Sequence, residues 1–162
     1  MPIEIERRFL VQGEDWKELT TQSEDIRQGY LATNFSEWIT RIRIINNKNA
    51  ILTLKNSLPG IETLEFEYSV PIDDAETMWK HLKHKVAKQR YYLDLQPGIW
   101  VVDCFKEKNA PLIIAEVELE TTTSKICPPP WCRKELTGLR RYSNAALAKT
   151  PFANWPTKEP NT

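Results

Sequence analysis

Charged residues in this chain stand in pairs two positions apart, with apolar residues between them. Glu4, Glu6 and Arg8 alternate with Ile3, Ile5 and Phe9, broken only by Arg7. Arg41 and Arg43 alternate with Ile42 and Ile44, and Lys55 follows Leu52 and Leu54. Glu65 and Glu67, Lys88 and Arg90, and Glu116 and Glu118 repeat the pattern. In a β-strand, residues i and i+2 point to one face. Each doublet therefore sets two like charges side by side, which is unfavourable without a counter-charge between them. Acidic doublets ask for metal ions and basic doublets for an anion such as phosphate. Both kinds in one chain suggest a site for a metal–polyphosphate complex.

Eight strands are needed to carry these residues, at 2–12, 25–34, 37–46, 49–56, 62–71, 86–95, 99–106 and 111–121. Each shows period-2 alternation or β-branched and aromatic enrichment. Asn46 to Asn49 and Gln96-Pro97-Gly98 read as tight hairpins, with Asn109-Ala110-Pro111 as a further turn. Short helices are expected at Asp15–Leu19, from Asp73 (as N-cap) to about Lys83, and at Ser143–Lys149. Ala75, Met78, Trp79 and Leu82 fall on one face of the second helix, so it should cover an apolar surface. Past residue 121 the strand pattern stops. Short connections imply an antiparallel sheet. The expected fold is mainly β (α+β): an eight-stranded antiparallel barrel with a charged interior, flanked by a few short helices. Residues 1–149 read as a single domain, and 150–162 as a poorly ordered tail containing Pro151, Pro156 and Pro160.

Composition narrows the function. The 162 residues are 41% hydrophobic and 27% charged, ordinary values for one globular domain. With 22 basic and 22 acidic residues the net charge is zero, which argues against a generic nucleic-acid binder. The N-terminus runs straight into a strand pattern with no apolar leader, and no apolar run reaches the ~18 residues of a membrane span. Three cysteines, Cys104, Cys127 and Cys132, are an odd number and do not suggest a disulfide framework. Cys127 and Cys132 alone are a weak zinc signal. A reducing cytoplasm is the expected compartment, with neither nucleic-acid duplex nor membrane as partner.

Other chemistry finds little support. No G-x-S-x-G elbow and no phosphate-cradling G-x-x-x-x-G-K-[ST] loop is present. With only five glycines, phosphates must be held by side chains rather than backbone amides. His81 and His84 read as solvent-facing, and Trp16, Trp38, Trp79 and Trp131 as core or cover first. A single doublet is more often a solvated strand face than a site. Purely acidic and purely basic doublets in series, however, are what a surface avoids.

These residues resemble the CYTH superfamily, also called triphosphate tunnel metalloenzymes. The family's E-x-E-x-K motif stands here as Glu4-Ile5-Glu6-Arg7-Arg8. The similarity continues through Gln28-Gly29-Tyr30-Leu31, Arg41-Ile42-Arg43, Leu52-Thr53-Leu54-Lys55 and Glu65-Phe66-Glu67-Tyr68. It goes on through Lys88-Gln89-Arg90-Tyr91, Val102-Asp103, Ala115-Glu116-Val117-Glu118-Leu119, Lys134 to Gly138 and Arg141-Tyr142-Ser143-Asn144. The resemblance implies a barrel tunnel acting on triphosphate compounds with Mg²⁺ or Mn²⁺. Carried over by position, Glu4, Glu6, Glu116 and Glu118 resemble metal ligands, with Glu65, Glu67 and Asp103 beside them. Arg8, Arg41, Arg43, Lys55, Lys88, Arg90 and Arg141 resemble phosphate binders. Tyr30 looks like the family's tunnel tyrosine, and Glu4, Glu6, Arg8, Lys88 and Tyr30 form the expected catalytic group. The one departure is Arg8, where the family has lysine: a planar fork replaces a compact point charge.

The expected activity is metal-dependent hydrolysis of a small triphosphate, inorganic triphosphate first, with water attacking in line. Three alternatives are a class IV adenylate cyclase, a non-catalytic polyphosphate or nucleotide binder, and a thiamine or nucleoside triphosphatase. The cyclases usually carry a His-Phe pair ahead of the motif, where this chain has only Met1, Pro2 and Ile3. Thiamine recognition would need an aromatic at the tunnel mouth, such as Trp38 or Trp131. Apolar outer faces would suit a homodimer.

Overall fold

The computed structural model describes residues 2–31 and 37–156. Among these, nine strands form one antiparallel sheet: β1 (Ile3–Val11), β2 (Thr20–Tyr30), β3 (Trp38–Ile45), β4 (Asn49–Ser57), β5 (Glu62–Val70), β6 (His84–Leu93), β7 (Ile99–Phe105), β8 (Ile113–Glu118) and β9 (Cys132–Glu135). Their order is β5-β4-β3-β2-β6-β7-β8-β1-β9, and a β5–β1 pairing closes eight of them into the expected barrel. The first residues of β1 pair with β5 and its last with β9, so β9 lies outside the closed ring. Hairpins connect β2 through β5 and β6 through β8, and between the two runs the chain crosses from β5 to β6, which pairs with β2. At the β3–β4 hairpin Asn46 and Asn47 both hold φ 54°, the left-handed backbone that suits a tight turn with right-handed strand twist.

Strand parity then fixes two faces. On β1, Glu4, Glu6, Arg8 and Leu10 point inward, while Ile5, Phe9 and Val11 join an outer apolar layer with Trp16, Trp100 and Trp131. Helix α1 (Ile72–Lys80) covers another part of the outside, laying Ala75, Met78 and Trp79 over Ile42, Ile44 and Ala50. At one end the inward positions turn apolar: Leu10, Tyr30, Val86, Phe105 and Ile114. Helix α2 (Asn144–Lys149) plugs that end, burying Ala145, Leu147 and Ala148 against them. Ser143 caps α2, its hydroxyl accepting the Ala146 N–H at 3.1 Å.

Several expectations change. β2 starts at Thr20, because Thr20 to Glu24 pair with β6; residues 32–34 of the expected strand lie outside the described residues. Helix α1 begins after Pro71, not at an Asp73 cap; Asp73 and Asp74 instead sit in its first turn, where negative charge suits the helix dipole. It ends at Lys80, short of Leu82. The strand pattern does not stop at 121. β9 reads Cys-Arg-Lys-Glu, has no apolar alternation, and exists because it pairs with Phe9–Val11. The start of the expected disordered tail is packed: Trp155 is buried, with ring contacts to Tyr142 at 5.1 Å and Phe152 at 4.9 Å. Residues 157–162 of that tail lie outside the described residues. The three cysteines are free thiols. Among the described residues no helix is long and apolar enough to cross a membrane, which says nothing of a β-barrel.

Candidate active site

The barrel sorts its inward charges by sign. The neighbouring strands β8, β1 and β5 carry Glu116 and Glu118, Glu4 and Glu6, and Glu65 and Glu67. Across the ring, β4, β3 and β6 carry Lys55, Arg41 and Arg43, and Lys88 and Arg90. One wall is therefore acidic and the other basic. Each wall has one exception: Arg8 on the acidic side, and Asp103 of β7 at the border of the basic side.

Registry places the opposed charges. Arg8 is directly across from Glu116, Lys55 from Glu65, and Arg90 from Asp103. Lys88 is fully buried; its ammonium donates to Asp103 Oδ2 at 2.7 Å and to Asn144 Oδ1 at 2.9 Å. Arg90 donates to both Asp103 oxygens, at 2.8 and 2.9 Å, and to Glu116 Oε1 at 3.1 Å. Arg43 donates to Gln28 Oε1 at 2.9 Å, and Gln28 Nε2 donates to the Tyr30 hydroxyl at 3.0 Å. Arg41 donates to Thr53 Oγ1 at 3.0 Å. Arg8 donates to the Tyr142 carbonyl at 2.8 Å and places Nε 3.3 Å from Glu116.

The two walls differ electrostatically. Burial pushes the Lys88 pKa down to about 7 despite Asp103, with Arg90 and Arg43 adding to the fall. Burial, with Arg41 and Arg90, lowers Arg43 to about 10. Burial alone would raise the Asp103 carboxyl, but Arg90 and Lys88 outweigh it and hold it below the usual range. Burial also works against Glu116, but Arg8 and Arg90 hold it down at about 2. Glu6 goes the other way: burial, then Glu116 and Glu4, push it up to about 8. Burial likewise raises Glu4 against the pull of Lys55.

Strand parity puts most of these residues on the inner face, while three expectations change. The seven expected metal carboxylates do not form one cluster. Among the described residues no three Asp, Glu, His or Cys side chains are gathered so as to hold an ion as they stand. Cations intervene: Lys55 lies 3.3 Å from both Glu4 and Glu65, and Arg8 and Arg90 occupy Glu116. Asp103 has both oxygens engaged by Lys88 and Arg90, so it serves those cations. Arg141 is exposed, its guanidinium 4.7 Å over the Trp155 ring. Neither proposed mouth aromatic lines the interior. Trp131 is buried in the outer layer, and Trp38 points outward to Phe66 at 6.3 Å. Sequence reasoning missed Gln28, Thr53 and Asn144. The first two were findable, since each lies two residues from an identified inward group, Tyr30 or Lys55.

A closed antiparallel barrel with opposed acidic and basic inner walls, plugged at one end, defines a tunnel for a densely charged ligand. The chain belongs to the CYTH domain family, whose pattern matches residues 2–150. It is 36% identical over 154 residues to an inorganic triphosphatase of Acetivibrio thermocellus, covering 94% of this chain and 97% of that one. It is 34% identical over 149 residues to an inorganic triphosphatase of Nitrosomonas europaea, covering 90% of this chain and 96% of that one. A crystal structure of an inorganic triphosphatase superposes with a TM-score of 0.67 at 32% identity, covering 90% of this chain and 93% of that chain.

Proposed function

We propose that this chain is a divalent-metal-dependent triphosphatase acting on inorganic triphosphate or a similarly small triphosphate. The observation that carries the reading is the separation of charge between the two inner walls. Triphosphate with a bound cation is itself such a dipolar object. Unsatisfied atoms on both walls fit its two parts. Arg8 Nη2 and Arg41 Nε are buried without a hydrogen-bond partner, and Glu4 Oε2 and Arg8 Nε have only ion-pair contacts at 3.3 Å, to Lys55 and Glu116. Buried polar atoms that lack a hydrogen bond are costly, so a ligand that pairs them is favoured.

Glu4, Glu6, Glu116 and Glu118 would hold the cation, with Glu65 and Glu67 nearby. Hard oxygen donors suit Mg²⁺ or Mn²⁺. When bound, the cation would supply Lewis-acid polarisation of phosphoryl oxygens and a lower pKa for its water. Arg41, Arg43, Lys55, Lys88 and Arg90 align and neutralise the phosphate chain, a task in which positioning supplies most of the rate. Arg8 offers a two-pronged donor to phosphate from the acidic side. Asp103 keeps Lys88 and Arg90 in place, and the Gln28–Tyr30 pair steadies Arg43. The plug closes one end against bulk water. A cytoplasmic location and a homodimer remain part of this reading.

Orthophosphate release by Glu4→Gln and Glu6→Gln variants tests the assignment. Metal-dependent turnover should vanish in both, and turnover that survives in both would contradict it.

A further inference from the structure

Lys88 has its partners on two separate parts of the chain. Asp103 belongs to the barrel wall, on the strand next to Lys88. Asn144 belongs to the plug, at the first residue of α2, and lies 56 residues away in sequence. The ammonium is fully buried and carries three N–H donors, of which Asp103 takes one and Asn144 another. The Phe105 ring lies 5.6 Å from Nζ and can accept no ordinary hydrogen bond. One donor is therefore left, and the two fixed ones set its direction.

We infer that Asn144 is a positioning residue: its side-chain oxygen, carried by the plug helix, aims the remaining N–H of Lys88 at a phosphate oxygen of the substrate. The inference rests on the triphosphatase reading above. A second contact makes Asn144 fit for this. Arg8 donates to the Tyr142 carbonyl, two residues before Asn144, and ties the start of the plug to the barrel wall. The amide oxygen accepts without adding a charge. It orients the ammonium and adds no negative charge to the cationic wall, as a second carboxylate beside Asp103 would. Alanine at this position keeps the helix and its cap but frees Lys88 to turn about its contact with Asp103.

The test compares Asn144→Ala with Ser143→Ala, which loosens the plug without touching Lys88. Wild type, shown to release orthophosphate from tripolyphosphate, is the reference; a silent wild type would refute the triphosphatase reading itself. In Asn144→Ala, kcat should fall about 10- to 100-fold, as expected for a misplaced group, while KM stays within about threefold. Ser143→Ala should keep kcat within about threefold while losing more thermal stability than Asn144→Ala. A second readout needs no turnover. In ¹⁵N-labelled, metal-free protein near pH 6, the wild-type Lys88 ammonium should give a slowly exchanging signal, lost or shifted in Asn144→Ala and kept in Ser143→Ala. An unchanged signal, or equal loss of kcat in both variants, would overturn the role of Asn144.

Discussion

Glu6 and Glu118 stand directly across from each other on the antiparallel strands β1 and β8. Like charges in that relation are destabilising unless a cation lies between them. Glu116 and Glu4 add to the repulsion around Glu6, and burial compounds it. In the metal-free tunnel Glu6 answers by keeping its proton, whereas Glu116, beside Arg8 and Arg90, stays ionised. If a cation binds at the acidic wall as proposed, it would displace that proton, as at sites whose ligands must deprotonate.

That linkage predicts a pH dependence of stability. The folded-state pKa of Glu6 is raised from 4.5 to about 8, so the folded chain binds the extra proton between those values. Its contribution is fully present below about 4.5 and is lost as pH rises through about 8. Melting in EDTA should show a midpoint that falls by several degrees between pH 5 and pH 8 in wild type, on the order of what such linkage gives. Glu6→Gln should flatten the slope; an identical slope in both proteins would count against the assignment.

Asp103 is the sole carboxylate hydrogen-bonded to Lys88 among the described contacts, and it also engages Arg90 through both oxygens. Removing one partner of a buried ion pair leaves a charge uncompensated, at a cost of about 3–5 kcal/mol. Asp103→Asn should lose that much in urea denaturation. Because its folded pKa is depressed, Asp103 supports the fold above the usual aspartate range and loses that role as pH falls. A loss below about 1 kcal/mol, the scale of a surface pair, would show that the pair is not buried as described.

Arg8 spans the wall and the plug through its bond to the Tyr142 carbonyl. Lysine there has no fork with which to reach both Tyr142 and Glu116. Arg8→Lys should cost about 1.5–3 kcal/mol of stability, the scale of a hydrogen bond to a charged group. Its kcat should stay within about tenfold of wild type, since a cation remains. Arg8→Ala should lose metal-free binding of tripolyphosphate, measured by calorimetry. Unaltered binding in the alanine variant would remove Arg8 from the phosphate site.

Gly29 lets the segment after α1 approach the barrel. A Cβ there would lie 2.4 Å from Leu82 Cδ1 and 3.4 Å from the Trp79 ring. Gly29→Ala should destabilise by about 1 kcal/mol, the low end of overpacking, because the crowding atom is the tip of the Leu82 side chain. Leu82→Ala in the same chain should return part of that loss in a double-mutant comparison, and strict additivity would argue against the contact.

Much of the barrel could be read from period-2 alternation, because a half-charged inner face and an apolar outer face impose the same pattern on every strand. Glu4-Ile5-Glu6 and Arg41-Ile42-Arg43 show this most plainly, and parity puts their charges inside. What escaped was structure made by partners rather than by local pattern. β9 is four residues whose only claim to being a strand is the free edge of β1. Trp155 is ordered by Tyr142 and Phe152, which sequence distance conceals. Asn144 carries no charge and lies outside any doublet; only the docking of α2 brings it to Lys88. Which carboxylates face a cation and which face each other depended on registry, and so did the opposite behaviour of Glu6 and Glu116.

The most direct measurement is orthophosphate release by the wild-type chain from tripolyphosphate, ATP and thiamine triphosphate, each with Mg²⁺, Mn²⁺ or EDTA. Opposed walls that hold a metal–polyphosphate complex predict release that requires the divalent ion and is fastest with tripolyphosphate. Binding of tripolyphosphate without release under any of the metals would contradict the account and leave the tunnel as a binding module.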